Sequence, residues 1–478
     1  MEKTEVVFVP IYGVGHLFSS VELAKRLIHR DDRLSITVLC MRPPSFYGVD
    51  PYVESLAASN PSIRFIGLPQ VDPPSPEVYN GPEGFISLFV ESYKPHVRHA
   101  LTQLMSPGSG AHTVRVAGMV IDLFCTSMID VANEFGIPSY LFFTSGAGLL
   151  GLMLHLPTLD TQIPTGTELK DAETELKFPN FVNPVPPFSL PKPLWNRKEH
   201  GYTWFVYHGR RFKEVKGIII NTFAEFESHA VNSLSDGQTP AIYPVGPLVQ
   251  LEGLSHSLSD HTRTQYSEIM KWLDDQPPSS VVLLCFGSMG GFDEAQVKEI
   301  AIGLERSGYR FLWSLRQARV GMPMPNAYPN PKEVLPDGFL ERTEGRGFIC
   351  GWVPQVKVLA HPAIGGFVSH CGWNSTLESL WYGVPLATWP LYAEQHLNAF
   401  QLVKELGLAV ELRLEYRNGV DLASAEEVER GMRSLMAADS EVRTRVREMG
   451  EKSRAVLVEG GSSFVSLGRL IEDLMHNN

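Results

Sequence analysis

Residues 363–369, AIGGFVS, run directly into residues 370–395, HCGWNSTLESLWYGVPLATWPLYAEQ. The first piece is a short apolar run of strand length. Trp373 opens a helical pattern that Gly383 and Pro385 end, and a second apolar run, PLATWP, follows. Strand, helix, strand in that order predicts a parallel β/α unit. The helix start is crowded with polar and aromatic side chains: His370, Trp373, Asn374, Ser375 and Glu378.

The same alternation extends outward in both directions. VVFVPIY, LSITVLC, VAGMVID and SYLFFT read as strands in the first half, with helical patterns after several of them. A fresh series begins at Val281–Phe286 and continues through RFLWSL, GFICGW and GGFVS. The chain therefore predicts two doubly wound α/β domains, as its 478 residues also suggest. Expected boundaries are 1–245 for the first domain, 246–265 for a polar linker and 266–455 for the second. A last helix follows over 456–478. GMPMPNAYPNPKEVLP, at 321–336, reads as a long surface loop.

Composition narrows the function. A net charge of -12, from 41 basic and 53 acidic residues, argues against nucleic acid as a partner. No run approaches the roughly 18 apolar residues of a membrane helix. The N-terminal apolar run ends in Gly and His without a cleavage site, and DLMHNN carries no lipidation signal. A soluble cytoplasmic protein is expected. Cys40, Cys125, Cys285, Cys350 and Cys371 are scattered and odd in number, so neither disulfides nor zinc is expected. The Asn374-Ser375-Thr376 sequon is expected to stay unmodified without secretion.

Ligands of open parallel sheets bind beyond the carboxyl ends of the strands. His16, Asp122 and Thr144 fall at such ends in the first half; Ser288, Trp352, His370, Glu394 and Gln395 do so in the second. Two such rims facing each other would enclose a cleft. A helix start suits phosphate. Glu378, one turn beyond Asn374, would repel phosphate but can accept both hydroxyl protons of a ribose. Phosphate and ribose together imply a nucleotide, whose base Trp352 could stack. Taken singly, Asn374 or Ser375 is more simply an N-cap, and Trp352, Trp373 and Trp389 are more simply core residues. Their concentration at predicted strand ends favours the site.

Residues 352–395, WVPQVKVLAHPAIGGFVSHCGWNSTLESLWYGVPLATWPLYAEQ, closely resemble the signature box of plant family 1 UDP-sugar-dependent glycosyltransferases. GHLFSSVELAKRL, DLFCTSMIDVANEFGIP, KWLDDQPPSSVVLLCFGS and EGGSS extend the resemblance along the chain. FFTSGAGLLGLMLHLP is similar to the subgroup acting on flavonoids, phenylpropanoids and terpenoids. The resemblance implies a GT-B fold, with the last helix returning to the first domain. It implies that Trp352 stacks on uracil, and that Val353 and Gln355 contact uracil or ribose. Glu378 would take the ribose hydroxyls. Ser288, His370, Asn374 and Ser375 would hold the diphosphate, and Thr144, Trp373, Glu394 and Gln395 would line the sugar. Gln395 goes with glucose in this family, where His often goes with galactose. Glu394 stands where many members have Asp.

His16 resembles the family's general base and Asp122 its partner. The helix start disfavours imidazolium at His16 whereas Asp122 favours it. The implied reaction is inverting transfer of glucose from UDP-glucose to a small lipophilic acceptor, by a monomer. No D-x-D motif is present, so no metal and no cofactor are expected. Acceptor candidates are His16, Phe18, Phe85, Phe89, Phe124, Ala393 and the segment PPFSLPKPLW. Two rival readings fit less well. In a dinucleotide oxidoreductase, Gly13 and Gly15 would begin G-x-G-x-x-G, but position 18 is Phe. A binding protein that had lost catalysis would be expected to lose His16 or Asp122, and both are present.

Overall fold

The computed structural model describes residues 3–42, 50–106, 115–164, 167–169, 176–251, 260–317, 326–328 and 330–476. It divides into two compact units. The first takes residues 1–187, 193–248 and 455–478; the second takes 188–192 and 249–454.

The first unit carries β1 (Thr4–Val9), β2 (Leu34–Cys40), β3 (Ile63–Gly67), β4 (Val116–Asp122), β5 (Ser139–Phe143), β6 (Gly217–Ile220) and β7 (Ala241–Pro244). They form one sheet in the order β3-β2-β1-β4-β5-β6-β7, every pairing parallel. All residues of β1, β4 and β5 are buried, which is why these strands read as unbroken apolar runs rather than alternating ones. Helix Val14–Arg30 covers one face with Leu17, Val21, Ala24 and Leu27. The last helix, Ser462–Met475, adds Leu467, Leu470, Ile471 and Leu474 to the same core. It is pinned there by Ser463 Oγ donating to the Gly246 carbonyl at 2.6 Å and by Arg30 over the Phe464 ring.

The second unit carries β8 (Val281–Cys285), β9 (Arg310–Ser314), β10 (Arg316–Gln317), β11 (Asn326–Ala327), β12 (Gly347–Cys350), β13 (Ile364–Ser369), β14 (Leu386–Thr388) and β15 (Ala409–Glu411). The main sheet runs β12-β9-β8-β13-β14-β15, again all parallel. Local signals set its helices. The Asp293 side chain caps helix Glu294–Ser307, and Gly308 closes it at φ 74°, a conformation that costs glycine little.

Three expectations need adjusting. The region 246–265 is not all linker, because a helix spans Asp260–Asp274; positions 252–259 lie outside the described residues. Apolar residues recur on one side of that helix, a pattern its polar surroundings hid. The loop at 321–336 contributes β11, which pairs antiparallel with β10; its positions 321–325 and 329 also lie outside the described residues. The stretch 126–136 is helical only over Met128–Glu134. Among the described residues no helix is long and apolar enough to cross a membrane. The five cysteines are buried free thiols.

Candidate active site

Strand order reverses direction once in each main sheet: between β1 and β4, and between β8 and β13. Chains leaving adjacent strands at such a point diverge and open a crevice. His16 and Asp122 sit at the first switch point; Ser288 and His370 sit at the second.

His16 lies in the first turn of helix Val14–Arg30, and Asp122 is the last residue of β4. His16 Nδ1 is 2.8 Å from Asp122 Oδ2. Asp122 has essentially no exposure, and its Oδ1 accepts the Phe124 backbone N–H at 3.1 Å. A carboxylate can only accept, so it selects the tautomer with the proton on Nδ1. Nε2 of the neutral ring is then the acceptor. The His16 side chain is 30 % exposed, so an outside hydroxyl can reach it. Thr144 Oγ1 lies 3.1 Å from the same Nδ1, which makes it a neighbour of His16 within the first unit.

The acceptor candidates separate by burial. Phe89 is wholly buried, stacked on Phe85 and edge-on to Tyr12 and Tyr93. Phe85 and Phe89 are one turn apart on helix Gly81–Ser92, and both point into the core. Phe89 is therefore a packing residue with no surface to offer a ligand, a correction to the sequence reading. Phe18 is buried as well. Phe124 is the candidate with an open face: it is partly exposed, with its ring 6.0 Å from that of His16. Sequence reasoning missed what holds it. Phe205 meets its edge, and buried His208 lies 5.9 Å behind it, bonded to Thr126 and Ser87. No local motif announces His208; only the packing does. In the segment 186–195, Ser189, Leu190 and Leu194 are fully buried.

In the second unit β13 ends at Ser369. His370 and Cys371 follow, with Cys371 at φ 62°, before Gly372 starts helix Trp373–Trp381. The left-handed Cys371 is strained for a residue with a Cβ. It is held by the Ser369 hydroxyl, which accepts its N–H, and by Asn398 Nδ2 donating to its carbonyl. Gly372, at the N-cap, has no side chain with which to cap the helix. His370 is pressed between two glycines: a Cβ at either Gly287 or Gly372 would stand 2.5 Å from its Nε2. Its Nδ1 is buried without a hydrogen-bond partner, and burial pushes its pKa down to about 4, so the ring is neutral. A buried polar nitrogen beside a helix start is chemically suited to an anion.

Gln355 Nε2 donates both to Ser375 Oγ at 2.8 Å and to Glu378 Oε2 at 2.6 Å. Burial pushes the Glu378 carboxyl up to about 7, against the Gln355 bond, which lowers it. Trp352 is partly exposed and Val353 is buried. Asn374 stands partly exposed at the helix start. Trp373 is only 4 % exposed, so its indole belongs to the core; any contact with a ligand would come through its backbone. Gln395 is likewise buried, its Oε1 accepting the N–H groups of Leu391 and Tyr392. It shapes the turn that carries the exposed Ala393, at φ 52°, and the partly exposed Glu394. Among the described residues no group of three or more His, Cys, Asp or Glu side chains is placed to hold a metal ion.

Two all-parallel Rossmann-like units of this kind are the architecture of the GT-B fold. Comparison with known proteins makes the assignment specific. Residues 242–432 match the model of the family described as "UDP-glucoronosyl and UDP-glucosyl transferase". UDP-glycosyltransferase 71K2 of Pyrus communis is 51% identical over 100% of this chain and 99% of its own. UDP-glucose flavonoid 3-O-glucosyltransferase 6 of Fragaria ananassa is 52% identical, covering 99% of both chains. The crystal structure of Medicago truncatula UGT71G1 complexed with UDP-glucose superposes with a TM-score of 0.88 at 46% identity, covering 99% of this chain and 98% of that one. The chain belongs to the plant UDP-glycosyltransferase family.

Proposed function

We propose that this protein transfers glucose from UDP-glucose to a hydroxyl of a small lipophilic acceptor, a flavonoid, another phenolic or a terpenoid, giving a β-glucoside. The observation that carries the reading is the 2.8 Å contact of His16 Nδ1 with Asp122, which assigns the ring proton to Nδ1 and leaves Nε2 as the basic nitrogen of a side chain that is 30 % exposed. The acceptor O–H gives its proton to Nε2 while its oxygen bonds C1 of glucose from the side opposite the diphosphate. The C1–O bond to UDP breaks, so configuration inverts. In the second unit Trp352 and Val353 take the uracil, Glu378 and Gln355 the ribose, and Ser288, His370, Asn374 and Ser375 the diphosphate. Thr144, Trp373, Glu394 and Gln395 line the sugar; Phe124 and Ala393 line the acceptor. The names of the Fragaria and Medicago relatives support the donor and the acceptor class. The reading takes the protein to be a cytoplasmic monomer. The direct test is UDP release from UDP-glucose over a panel of phenolic and terpenoid acceptors, with product mapping. Tight UDP binding with no release on any acceptor would favour a nucleotide-sugar-binding protein instead.

Glucose is expected to win when UDP-glucose competes with UDP-galactose and UDP-glucuronate. Sites built to bond a hydroxyl reject isomers by leaving polar groups unpaired. Gln395, anchored through Oε1, can read the sugar only through Nε2, while Glu394 accepts from its hydroxyls. Dominance of either competing product would overturn this part of the reading.

Catalysis is expected to persist in EDTA. The support is the lack of a D-x-D motif together with a helix start and a neutral His370 at the diphosphate seat. Loss of activity in EDTA, restored by Mg²⁺ or Mn²⁺, would show that a metal ion stabilises the leaving group.

A further inference from the structure

The loop leaving β8, Gly287-Ser288-Met289, carries the proposed phosphate residue Ser288, which is itself exposed. Gly287 has φ 73°, and Gly290 packs so closely on the Phe286 carbonyl that a Cβ would stand 2.0 Å from it. Neither position admits another residue easily. This loop is sewn to the β10 segment on both sides. Arg316 Nη1 donates to the Gly287 carbonyl at 2.8 Å, and the Arg316 carbonyl accepts from Phe292 N at 3.2 Å. Tyr392 closes the cluster. Its ring is 6.2 Å from His370, and its hydroxyl sits beside the Met289 amide and in the field of Arg316.

Resting on the donor reading above, we infer that Arg316 is a positioning residue for the donor diphosphate. It holds the Gly287 carbonyl, and so aims Ser288, and it sets a positive charge behind the loop on which the diphosphate rests. The Arg316 side chain is partly buried, and burial lowers its pKa; Cys285 and Tyr392 oppose that shift, and it remains charged at any working pH. Field from a partly buried cation acts through less water than field from a fully exposed one, so it bears on the leaving group more strongly. His370, being neutral, cannot supply that charge.

The test compares UMP with UDP, because the field and the loop act where the second phosphate sits. Calorimetric titration of wild type, Arg316→Met and Arg316→Lys with each nucleotide is run beside melting temperature. Arg316→Met should weaken UDP by roughly tenfold, the lower end for a charged hydrogen bond, while UMP changes little. Arg316→Lys keeps the charge without the fork, so its UDP affinity should fall between the two, with UMP again unmoved. An equal loss for UMP and UDP would mark a merely structural role, and no loss for either would remove the role altogether. If Arg316→Met does not fold, Arg316→Lys alone decides between these outcomes. Failure of the wild type to bind UDP would instead sink the donor reading, and this inference with it.

Discussion

His16→Ala is expected to lower kcat on an alcohol acceptor by roughly 10²–10⁴-fold, the usual worth of a positioned base, with UDP-glucose affinity nearly unchanged. The proposed base stands on the first unit, whereas the nucleotide-holding residues proposed above stand on the second. Asp122→Asn should also slow the reaction. The amide keeps the shape of the carboxylate but can donate to Nδ1, which would turn the ring to the tautomer with Nε2 protonated. It also removes the charge that stabilises imidazolium as the proton arrives. An acidic phenol, already partly ionised, should lose less than an alcohol in both variants. Thr144, 3.1 Å from the same nitrogen, cannot replace Asp122 because a hydroxyl carries no charge. If His16 served only to start its helix, His16→Ala would lower the melting temperature and leave turnover per folded molecule intact. A folded His16→Ala protein that turns over an alcohol at near wild-type rate would refute the assignment.

Glu378→Gln should weaken UDP-glucose binding by roughly 10²-fold, since two hydrogen bonds from the ribose to a charged acceptor are lost or reversed. The same change should raise the melting temperature of the ligand-free protein at pH 8. The sign follows from the carboxyl's folded value of about 7, above its ordinary range. From the ordinary carboxylate range up to about pH 7 the folded chain holds more protons than the unfolded chain, so stability falls as pH rises through that window. A neutral amide escapes this cost, and the two proteins should converge in stability near the bottom of the window. With Glu378 as the proposed acceptor of the ribose hydroxyls, the ionised form is the one that binds, so wild-type affinity for UDP should climb between about pH 6 and 8 as the proton leaves, and the variant should show no such slope. Discrimination between UDP and 2′-deoxy-UDP should likewise shrink in the variant. Unchanged discrimination would place the ribose elsewhere.

Much of this was legible without coordinates. The apolar runs ending at Val9, Asp122, Cys285 and Ser369 are continuous because parallel strands are covered on both faces, and that continuity marked the strands, their direction and the side chains at their carboxyl ends. His16, Asp122, His370 and Glu378 could be singled out from such positions, because polar groups at strand ends and helix starts are a local pattern. Helix packing was harder to read. Phe85, Phe89 and Phe124 look alike in sequence, yet Phe89 is wholly buried and Phe124 has an open face, since exposure depends on what other elements cover. Strand order was invisible too. That β4 lies beside β1, and β13 beside β8, is a choice made by the packing of distant segments, and it alone brings Asp122 to 2.8 Å from His16 across 106 residues. The same choice set His370 between Gly287 and Gly372 and left its Nδ1 without a partner. Periodicity reports which face of an element is apolar, because that is a property of neighbours along the chain. Which element lies against which is a property of the whole core, and so the His16 imidazole and the Asp122 carboxylate became neighbours only in the folded molecule.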